Sequence, residues 1–214
     1  MKAKRRLLFS QNLAEIVGII MGDGCLYLDN RGKYQTIIAF NKEERQYLFY
    51  VKGLLEEYFS PYRFCITEIK DEFLLRNNSV FVGNRLIQTG VKVGNKVDNR
   101  VTIPGWIMVK EKYIIRFLRG LFDTDGCVYR KYNNYAQIQI KLAGEQTIRS
   151  VCEAFAKIGY SPSRIQKEVN RGKESYKFYL IRQKEIEKFF EEVKPRNLKH
   201  VGRFRRIKNG DAAI

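Results

Sequence analysis

The chain has 214 residues, 44% of them hydrophobic, and carries a formal net charge of +17 at pH 7. This length suits one large domain or two small ones with a real core. A chain this basic is expected to bind a polyanion, with nucleic acid a better candidate than an anionic membrane surface. No apolar run reaches the roughly 18 residues of a membrane span, and the start MKAKRRLLFSQN lacks the apolar core of a signal peptide.

The four cysteines argue against two further classes of protein. Cys25, Cys65, Cys127 and Cys152 form no CxxC pair and have no histidine nearby. This spacing disfavours both a zinc site and a disulfide framework. We therefore expect a reducing, intracellular location, either the cytoplasm and nucleoid or an organelle if the host is eukaryotic.

Residues 1–103 are predicted to form the first half of the molecule. A helical pattern runs into Gly22, and the segments that follow read as alternating pairs of strands and single helices. The predicted elements are strands at 25–30 and 34–41, a helix at 42–59, strands at 62–70 and 72–77, and a short helix at 84–89.

Residues 104–214 form the second half, which begins at the turn signal Pro104-Gly105. The predicted elements are a helix at 106–123, strands at 127–132 and 135–142, a helix at 145–158, strands at 163–169 and 174–181, and a helix at 183–193. Each half therefore reads αββαββα, which predicts an α+β fold of two pseudo-symmetric halves.

A repeated decapeptide links the two halves. GIIMGDGCLY at 18–27 returns as GLFDTDGCVY at 120–129, and five of the ten positions are identical. Small residues recur four apart, at Gly18 and Gly22 and again at Gly120 and Thr124, so each set lies on one face of its helix. Such residues let two helix backbones approach closely. Asp23 and Asp125 would then emerge side by side.

Two adjacent carboxylates need a counter-charge. They repel each other unless one is protonated or a cation lies between them. A hard divalent ion prefers oxygen ligands of this kind, and against a phosphodiester it would activate a water for in-line attack. The alternative is that each Asp-Gly only ends a helix before a strand. Duplication at matched positions of a basic protein favours the metal site.

The two decapeptides resemble the paired motifs of the LAGLIDADG homing endonucleases. The αββαββα order, the double copy and the downstream segment VGNKVDNRVTIPGWI strengthen the resemblance, which covers about residues 10 to 205. It implies a single-chain monomer that binds double-stranded DNA on two four-stranded antiparallel sheets joined by the packed motif helices. It also implies intron-encoded, site-specific cleavage of a long, loosely palindromic target, with a staggered double-strand break.

The same resemblance assigns roles to individual residues. The metal ligands would be Asp23 and Asp125, with backbone carbonyls lent by Gly22 and Thr124, and the metal would be Mg²⁺ or another divalent ion such as Mn²⁺. Further catalytic residues would be Lys96, Lys199 and Lys42. Met21 replaces the often acidic sixth motif position that Asp123 fills in the second copy. The counterparts of Asn41-Lys42 are Leu142 and Ala143, so we expect the two DNA strands to be cut at different rates.

Strand alternation predicts which side chains face DNA. In QIQIKL and SYKFYL, apolar and polar residues alternate with a period of two, which indicates one buried and one polar sheet face. Gln, Arg, Lys and Asn are side chains that read base edges in the major groove. The predicted contacts are Tyr27, Asp29, Arg31, Tyr34 and Thr36 in the first half, and Tyr129, Lys131, Asn133, Gln137, Gln139, Lys141, Arg164, Gln166, Ser175 and Lys177 in the second.

Two other functions remain open at this point. The chain could be an RNA maturase, an intron-splicing cofactor for which intron RNA is the partner, or a non-cleaving DNA-binding regulator of the same fold. Retention of both acids favours the nuclease. An intein origin is not expected, because no Cys or Ser start and no terminal His-Asn are present. His200, the single histidine, is expected to be structural or to contact phosphate.

Overall fold

The computed structural model describes residues 8–210, so residues 1–7 and 211–214 lie outside it. The first half contains three α-helices and four strands. They are α1 (Gln11–Met21), β1 (Gly24–Leu28), β2 (Tyr34–Asn41), a single 3₁₀ turn (Lys42–Glu44), α2 (Arg45–Tyr58), β3 (Cys65–Ile69), β4 (Glu72–Asn77) and α3 (Val80–Gln88).

The second half repeats this order with two additional helices. Its elements are α4 (Gly105–Met108), α5 (Glu111–Asp125), β5 (Gly126–Tyr132), β6 (Tyr135–Leu142), α6 (Glu145–Lys157), β7 (Gln166–Asn170), β8 (Lys173–Leu180), α7 (Gln183–Glu192) and α8 (Leu198–Asn209). Among residues 8–210, none of the helices has both the length and the apolar character that a membrane crossing requires.

The strands form two separate antiparallel sheets of the same topology. The first sheet has the order β1-β2-β4-β3 and the second has the order β5-β6-β8-β7. This confirms the predicted α+β class, the two pseudo-symmetric halves and the four-stranded antiparallel sheets.

The predicted helices of the second half differ from the observed ones at two places. The helix predicted at 106–123 is two helices, because Lys110 is extended (φ −130°, ψ 129°) between α4 and α5. Helix α8 was not predicted at all. Its sequence signals are Asn197, whose side chain accepts a hydrogen bond from the Lys199 amide at the N-cap, and Gly210, which ends the helix in the left-handed conformation at φ 77°.

The two motif helices, α1 and α5, pack against each other through glycine. A Cβ atom at Gly18 would collide with the carbonyl oxygen of Phe117, and one at Gly120 would collide with the carbonyl oxygen of Glu15. Each glycine therefore admits the backbone of the opposite helix to direct contact. The pseudo-two-fold axis runs between these helices, as the spacing of small residues predicts.

A buried ion cluster sets the register of this helix pair. The Glu15 side chain on α1 is buried and lies 2.7 Å from Arg116 Nε and 3.6 Å from Arg119 Nη1 on α5. The Tyr50 hydroxyl donates to Glu15 Oε1 at 2.5 Å, and Arg119 Nε donates to the carbonyl of Val193 at 2.6 Å. A sliding or rotation of the helices would leave buried charges unpaired, which is strongly unfavourable.

We expect Gly120→Ala to destabilise the protein by roughly 1–3 kcal/mol, because the added methyl group forces the two helix backbones apart. Thermal unfolding followed by circular dichroism measures this as a lower melting temperature.

Gly53→Ala is the matched control. Gly53 lies within α2, and a Cβ atom there would meet nothing within 4 Å. This substitution should raise stability by about 0.5–1 kcal/mol, because alanine loses less backbone entropy in a helix. Equal effects of the two substitutions would contradict the close helix contact.

Candidate active site and nucleic-acid interface

The two repeated acids meet at the ends of α1 and α5. Helix α1 ends at Met21, two residues before Asp23, whereas α5 continues through Asp125. A Cβ atom built on Gly22 would lie 2.7 Å from Asp125 Oδ2. The Asp125 carboxylate therefore lies against the backbone of the residue that precedes Asp23, and the two acids are brought together as expected.

The protonation of both acids reflects this crowding. Burial, followed by the charge of Asp23, raises the pKa of Asp125 to about 7, while Lys96 acts in the opposite direction. Desolvation and then the Glu44 carboxylate raise the pKa of Asp23, and Lys96 and Lys199 lower it. Without a further cation the pair therefore holds a proton more tightly than isolated carboxyls do.

Lys96 supplies positive charge directly beneath the acids. Its ammonium donates to the carbonyl of Met21 at 3.0 Å and also to the carbonyl of Gly22. Burial lowers the pKa of Lys96, and the charges of Asp125 and Asp23 raise it. In this structure Lys96 thus occupies the Gly22 carbonyl, one of the two carbonyls expected to bind a metal.

Lys199 is held differently from Lys96. Its ammonium lies 3.5 Å from a Glu44 carboxylate oxygen, and the side chain is 45% exposed. The side-chain amide nitrogen of Asn197 donates to the same Glu44 carboxylate at 2.9 Å and to the backbone carbonyl of Asp123 at 2.9 Å. Lys199 is therefore tied to the first half of the chain and partly neutralised, although its charge still acts on Asp23.

Asp123, the sixth residue of the second motif, anchors the segment before α8. Its carboxylate accepts hydrogen bonds from the backbone amides of Arg196 at 2.8 Å and Asn197 at 3.1 Å. Burial raises the pKa of Asp123 to about 7, against the effect of these two donors. The first motif has Met21 here, so the anchor exists in the second half alone.

Two clefts lie between the halves in pseudo-symmetric positions, and Asp125 lines the first of them. One, of about 410 Å³, lies between the loop that carries Lys96 and the junction of β6 with α6. The other, of about 570 Å³, lies between the start of α8 at Lys199 and the junction of β2 with α2. Each half thus places its basic residue against the strand–helix junction of the other half.

The oxygen atoms at the ends of the two motif helices suit a hard divalent ion but do not fill its coordination shell. Asp23 and Asp125 offer carboxylate oxygens, and the Gly22 carbonyl is oriented to accept a cation because it already accepts an ammonium. Thr124 Oγ1 donates to the carbonyls of Gly120 and Leu121, at 3.1 and 2.9 Å, within its own helix. Among the described residues, no cluster of three or more His, Cys, Asp or Glu could hold a metal. Water and phosphate oxygens would complete the shell.

Lys42 and His200 each have a partner outside the pair of acids. The Lys42 ammonium is paired with Glu68 at 2.7 Å, so its contribution to catalysis stays a prediction. His200 is buried against the ring of Phe122, and burial lowers its pKa to about 4. This burial agrees with the structural role, which is one of the two roles expected for His200.

The face assignment of β2 was wrong. Thr36 is 1% exposed and pairs with buried Leu26, and Tyr34 packs against Gly83 of α3. Both side chains point to the helix layer. The open face carries the neighbouring positions instead: Gln35, Ile37 and Ala39 on β2, and Leu74 and Arg76 on β4. The repeat could have shown this, because Gln35 precedes Gln137 by the same 102 residues that separate Asp23 from Asp125.

The second sheet has the predicted orientation. Gln139 pairs with Tyr179 and Lys141 pairs with Lys177, on the face away from the helices. Glu168 of β7 bridges the two lysines, with its carboxylate oxygens 2.9 Å from Lys141 and 2.5 Å from Lys177.

The remaining predicted contacts occupy strands or turns at the open side. Tyr27 and Tyr129 pair with Gln35 and Gln137, while Gln166 and Ser175 lie on β7 and β8. Of these contacts, five are exposed: Arg31, Lys131, Asn133, Arg164 and Gln166. Asp29 has a local role, since its carboxylate accepts the Arg31 and Lys33 amides, each at 2.9 Å, and shapes the β1–β2 turn.

Comparison with known proteins agrees with this architecture. Residues 112–194 match the family model described as a LAGLIDADG-like domain. The replication factor C small subunit of Methanocaldococcus jannaschii is 33% identical over 130 residues, which is 56% of this chain. The chain spans 7% of the length of that relative.

Solved structures extend the likeness to both halves. The homing endonuclease I-DmoI in complex with DNA and Ca is 18% identical, with a TM-score of 0.62 over 86% of this chain and 88% of that one. A point mutant of I-SmaMI is 12% identical, with a TM-score of 0.58 over 98% of this chain and 100% of that one. Full-length DUF199/WhiA from Thermatoga maritima is 16% identical, with a TM-score of 0.58 over 98% of this chain and 64% of that one.

Two halves of this topology, joined by motif helices that end in acids, define the two-motif LAGLIDADG fold. The family match in the second half and the fold of the whole chain confirm the resemblance drawn from the sequence. The chain therefore has the two-motif LAGLIDADG fold, and residues 112–194 within it are similar to the LAGLIDADG-like domain.

The raised pKa of Asp125 predicts a pH-dependent stability in the presence of a chelator. Its carboxyl binds a proton more tightly when folded, so this stabilisation is complete below about pH 4 and is lost as the pH rises towards 7. Asp125→Asn cannot ionise. We expect the melting temperature of the wild type, relative to Asp125→Asn, to fall between pH 4 and pH 8.

The exposed Asp98 provides the control for this measurement. Asp98→Asn removes one negative charge from a loop of the same basic protein, and so reports the general effect of net charge. If the melting temperature of the wild type minus that of Asp125→Asn stays constant or rises with pH, the Asp125 carboxyl is not desolvated.

Proposed function

We propose that the protein is a site-specific DNA endonuclease that hydrolyses phosphodiester bonds with a divalent metal ion and makes a staggered double-strand break. It would act as a monomer on a long, loosely palindromic target, with Mg²⁺ or Mn²⁺ as the metal, and it would be encoded within an intron. The related structure of I-DmoI contains DNA and Ca, and another contains target DNA and Mn, which supports both the polyanion and the kind of ion.

The observation that carries this proposal is that the carboxylates of Asp23 and Asp125 and the ammonium of Lys96 come together at the ends of α1 and α5. A protein that only bound DNA would gain nothing from two acids placed where phosphate must approach, since they would repel it. Their raised pKa values indicate that the arrangement is unfavourable without a counter-ion. A site that binds both a cation and phosphate resolves this conflict.

The residues of the chain would divide the chemistry as follows. Asp23 and Asp125 hold the ion, which when bound supplies Lewis acidity for a water nucleophile and for the leaving oxygen. Lys96, adjacent to both acids, stabilises the charge that develops on the phosphate. Lys199 contributes less, because Glu44 neutralises part of its charge. The two strands are therefore expected to be cut at different rates.

A non-cleaving DNA-binding regulator is the second candidate. The likeness to DUF199/WhiA shows that fold alone does not decide between the functions. The presence of both motif acids, Asp23 and Asp125, favours the nuclease over the non-cleaving regulator.

The first test is cleavage of a supercoiled plasmid that carries the intron-less host junction, or a library of randomised target duplexes, with Mg²⁺. We expect a nicked intermediate before linear product, because the two sites are chemically unequal. Asp23→Asn and Asp125→Asn should each lower cleavage by at least about 100-fold, since each removes a metal ligand.

DNA binding by the same variants serves as the control. Both should bind the target as tightly as the wild type or more tightly, because each removes a negative charge near phosphate. Binding by the wild type with no cleavage in Mg²⁺, Mn²⁺ or Ca²⁺ would favour the non-cleaving regulator. Equal nicking rates on the two strands would contradict the proposed asymmetry.

A second test follows the lysine that donates to the Gly22 carbonyl. Lys96 should leave that carbonyl when a divalent ion binds, so Ca²⁺ should increase its acetylation by an amine-reactive ester, measured by mass spectrometry. Lys199, which pairs with Glu44, is the internal control and should change little. Ca²⁺ binding that leaves Lys96 equally protected would show that the Gly22 carbonyl is not a metal ligand.

A further inference from the structure

Two tyrosine–glutamine pairs occupy equivalent places on the two open sheet faces. On the first sheet, Tyr27 of β1 lies directly opposite Gln35 of β2, and its hydroxyl donates to the Gln35 amide oxygen. On the second sheet, Tyr129 of β5 lies directly opposite Gln137 of β6, and its hydroxyl donates to Gln137 Oε1 at 2.9 Å. The same 102-residue offset relates both pairs.

In the structure each glutamine amide turns its oxygen towards the tyrosine hydroxyl. An unconstrained glutamine can present either its oxygen or its nitrogen to a base, because the two ends differ only by a rotation. With the oxygen accepting from tyrosine, the amide nitrogen becomes the group that donates outward. Gln137 retains 9% exposure, so the pair offers a narrow polar edge and not a mobile side chain.

The neighbouring positions on the same faces are not matched. Ile37 of the first sheet corresponds to Gln139 of the second, and Ala39 corresponds to Lys141. Apolar side chains contact groups such as the thymine methyl, whereas Gln and Lys form hydrogen bonds with base edges. The two halves can therefore recognise the same base pair only at the positions where they carry the same side chains.

We propose that Gln35 and Gln137, each oriented by its tyrosine, read the same base pair at two symmetry-related positions of the target, while the positions read by Ile37 and Gln139, and by Ala39 and Lys141, differ between half-sites. This rests on the proposed function only in requiring sequence-specific DNA binding. The amide donor selects an acceptor edge in the major groove, and guanine presents two such acceptors, O6 and N7.

The experiment is a binding selection on a randomised DNA duplex pool with the full chain and Ca²⁺, followed by sequencing of the bound fraction. The wild-type site should hold the same base pair at one pair of positions equidistant from its centre. Gln35→Ala and Gln137→Ala should each relax one member of that pair, with a loss of discrimination of roughly 5- to 150-fold.

Two further variants separate reading from packing. Tyr129→Phe keeps the ring and removes the hydroxyl, so it should relax the same position as Gln137→Ala. A tyrosine that only packed against the sheet would leave base preference unchanged. Gln139→Ala is the unmatched control and should relax a position whose symmetry mate holds a different base pair.

The outcomes separate this inference from the proposed function. A selected site in which Gln35→Ala and Gln137→Ala relax positions at unequal distances from the centre, or positions with different bases, overturns the inference and leaves the nuclease proposal intact. A pool from which no sequence is enriched overturns both, because specific DNA recognition would then be absent.

Discussion

The direct backbone contact between α1 and α5 is the constraint on which the rest of the structure depends. Gly18 and Gly120 allow each helix to touch the carbonyl of the other, and any side chain there would separate them. A strand begins directly after each acid, at Gly24 and at Gly126, so the spacing of the helices fixes the spacing of the acids and of both sheets. The buried Glu15 cluster prevents the pair from sliding.

A symmetric frame carries unequal chemistry. Lys96 reaches the centre and donates to the carbonyls at the end of α1, whereas Lys199 is diverted to Glu44. On the open faces, the first sheet carries Ile37 and Ala39 where the second carries Gln139 and Lys141. Such a molecule suits a DNA target whose two half-sites have the same base pair at a few positions and different base pairs at the others. The fold provides the pseudo-two-fold symmetry, and the differing side chains provide the differences in recognition.

Stability and function oppose each other at the centre. Burial raises the pKa of both Asp23 and Asp125. The charge of Glu44 raises that of Asp23 further and the charge of Asp23 raises that of Asp125 further, while Lys96 lowers both. The arrangement is therefore most favourable when an additional cation is present. This is the physical reason for expecting a divalent ion to change both the stability of the protein and the position of Lys96.

The sequence by itself determined the duplication, the α+β class, the strand pairs, and the placement of Asp23 and Asp125 at two equivalent helix ends. These follow from local patterns: periodicity, small residues four apart and a constant repeat offset. That same offset would also have corrected the error at Tyr34 and Thr36, since matched positions must share a face.

Only the tertiary structure decided which charges meet. Whether Lys96, Lys199 or Lys42 reaches the acids depends on partners far along the chain, such as Glu44 for Lys199 and Glu68 for Lys42. The anchoring of Asp123 to the start of α8 likewise joins residues more than 70 positions apart. Local sequence patterns carry no information about such pairs, because long-range contacts are set by how the halves pack and not by the spacing of residues within one element.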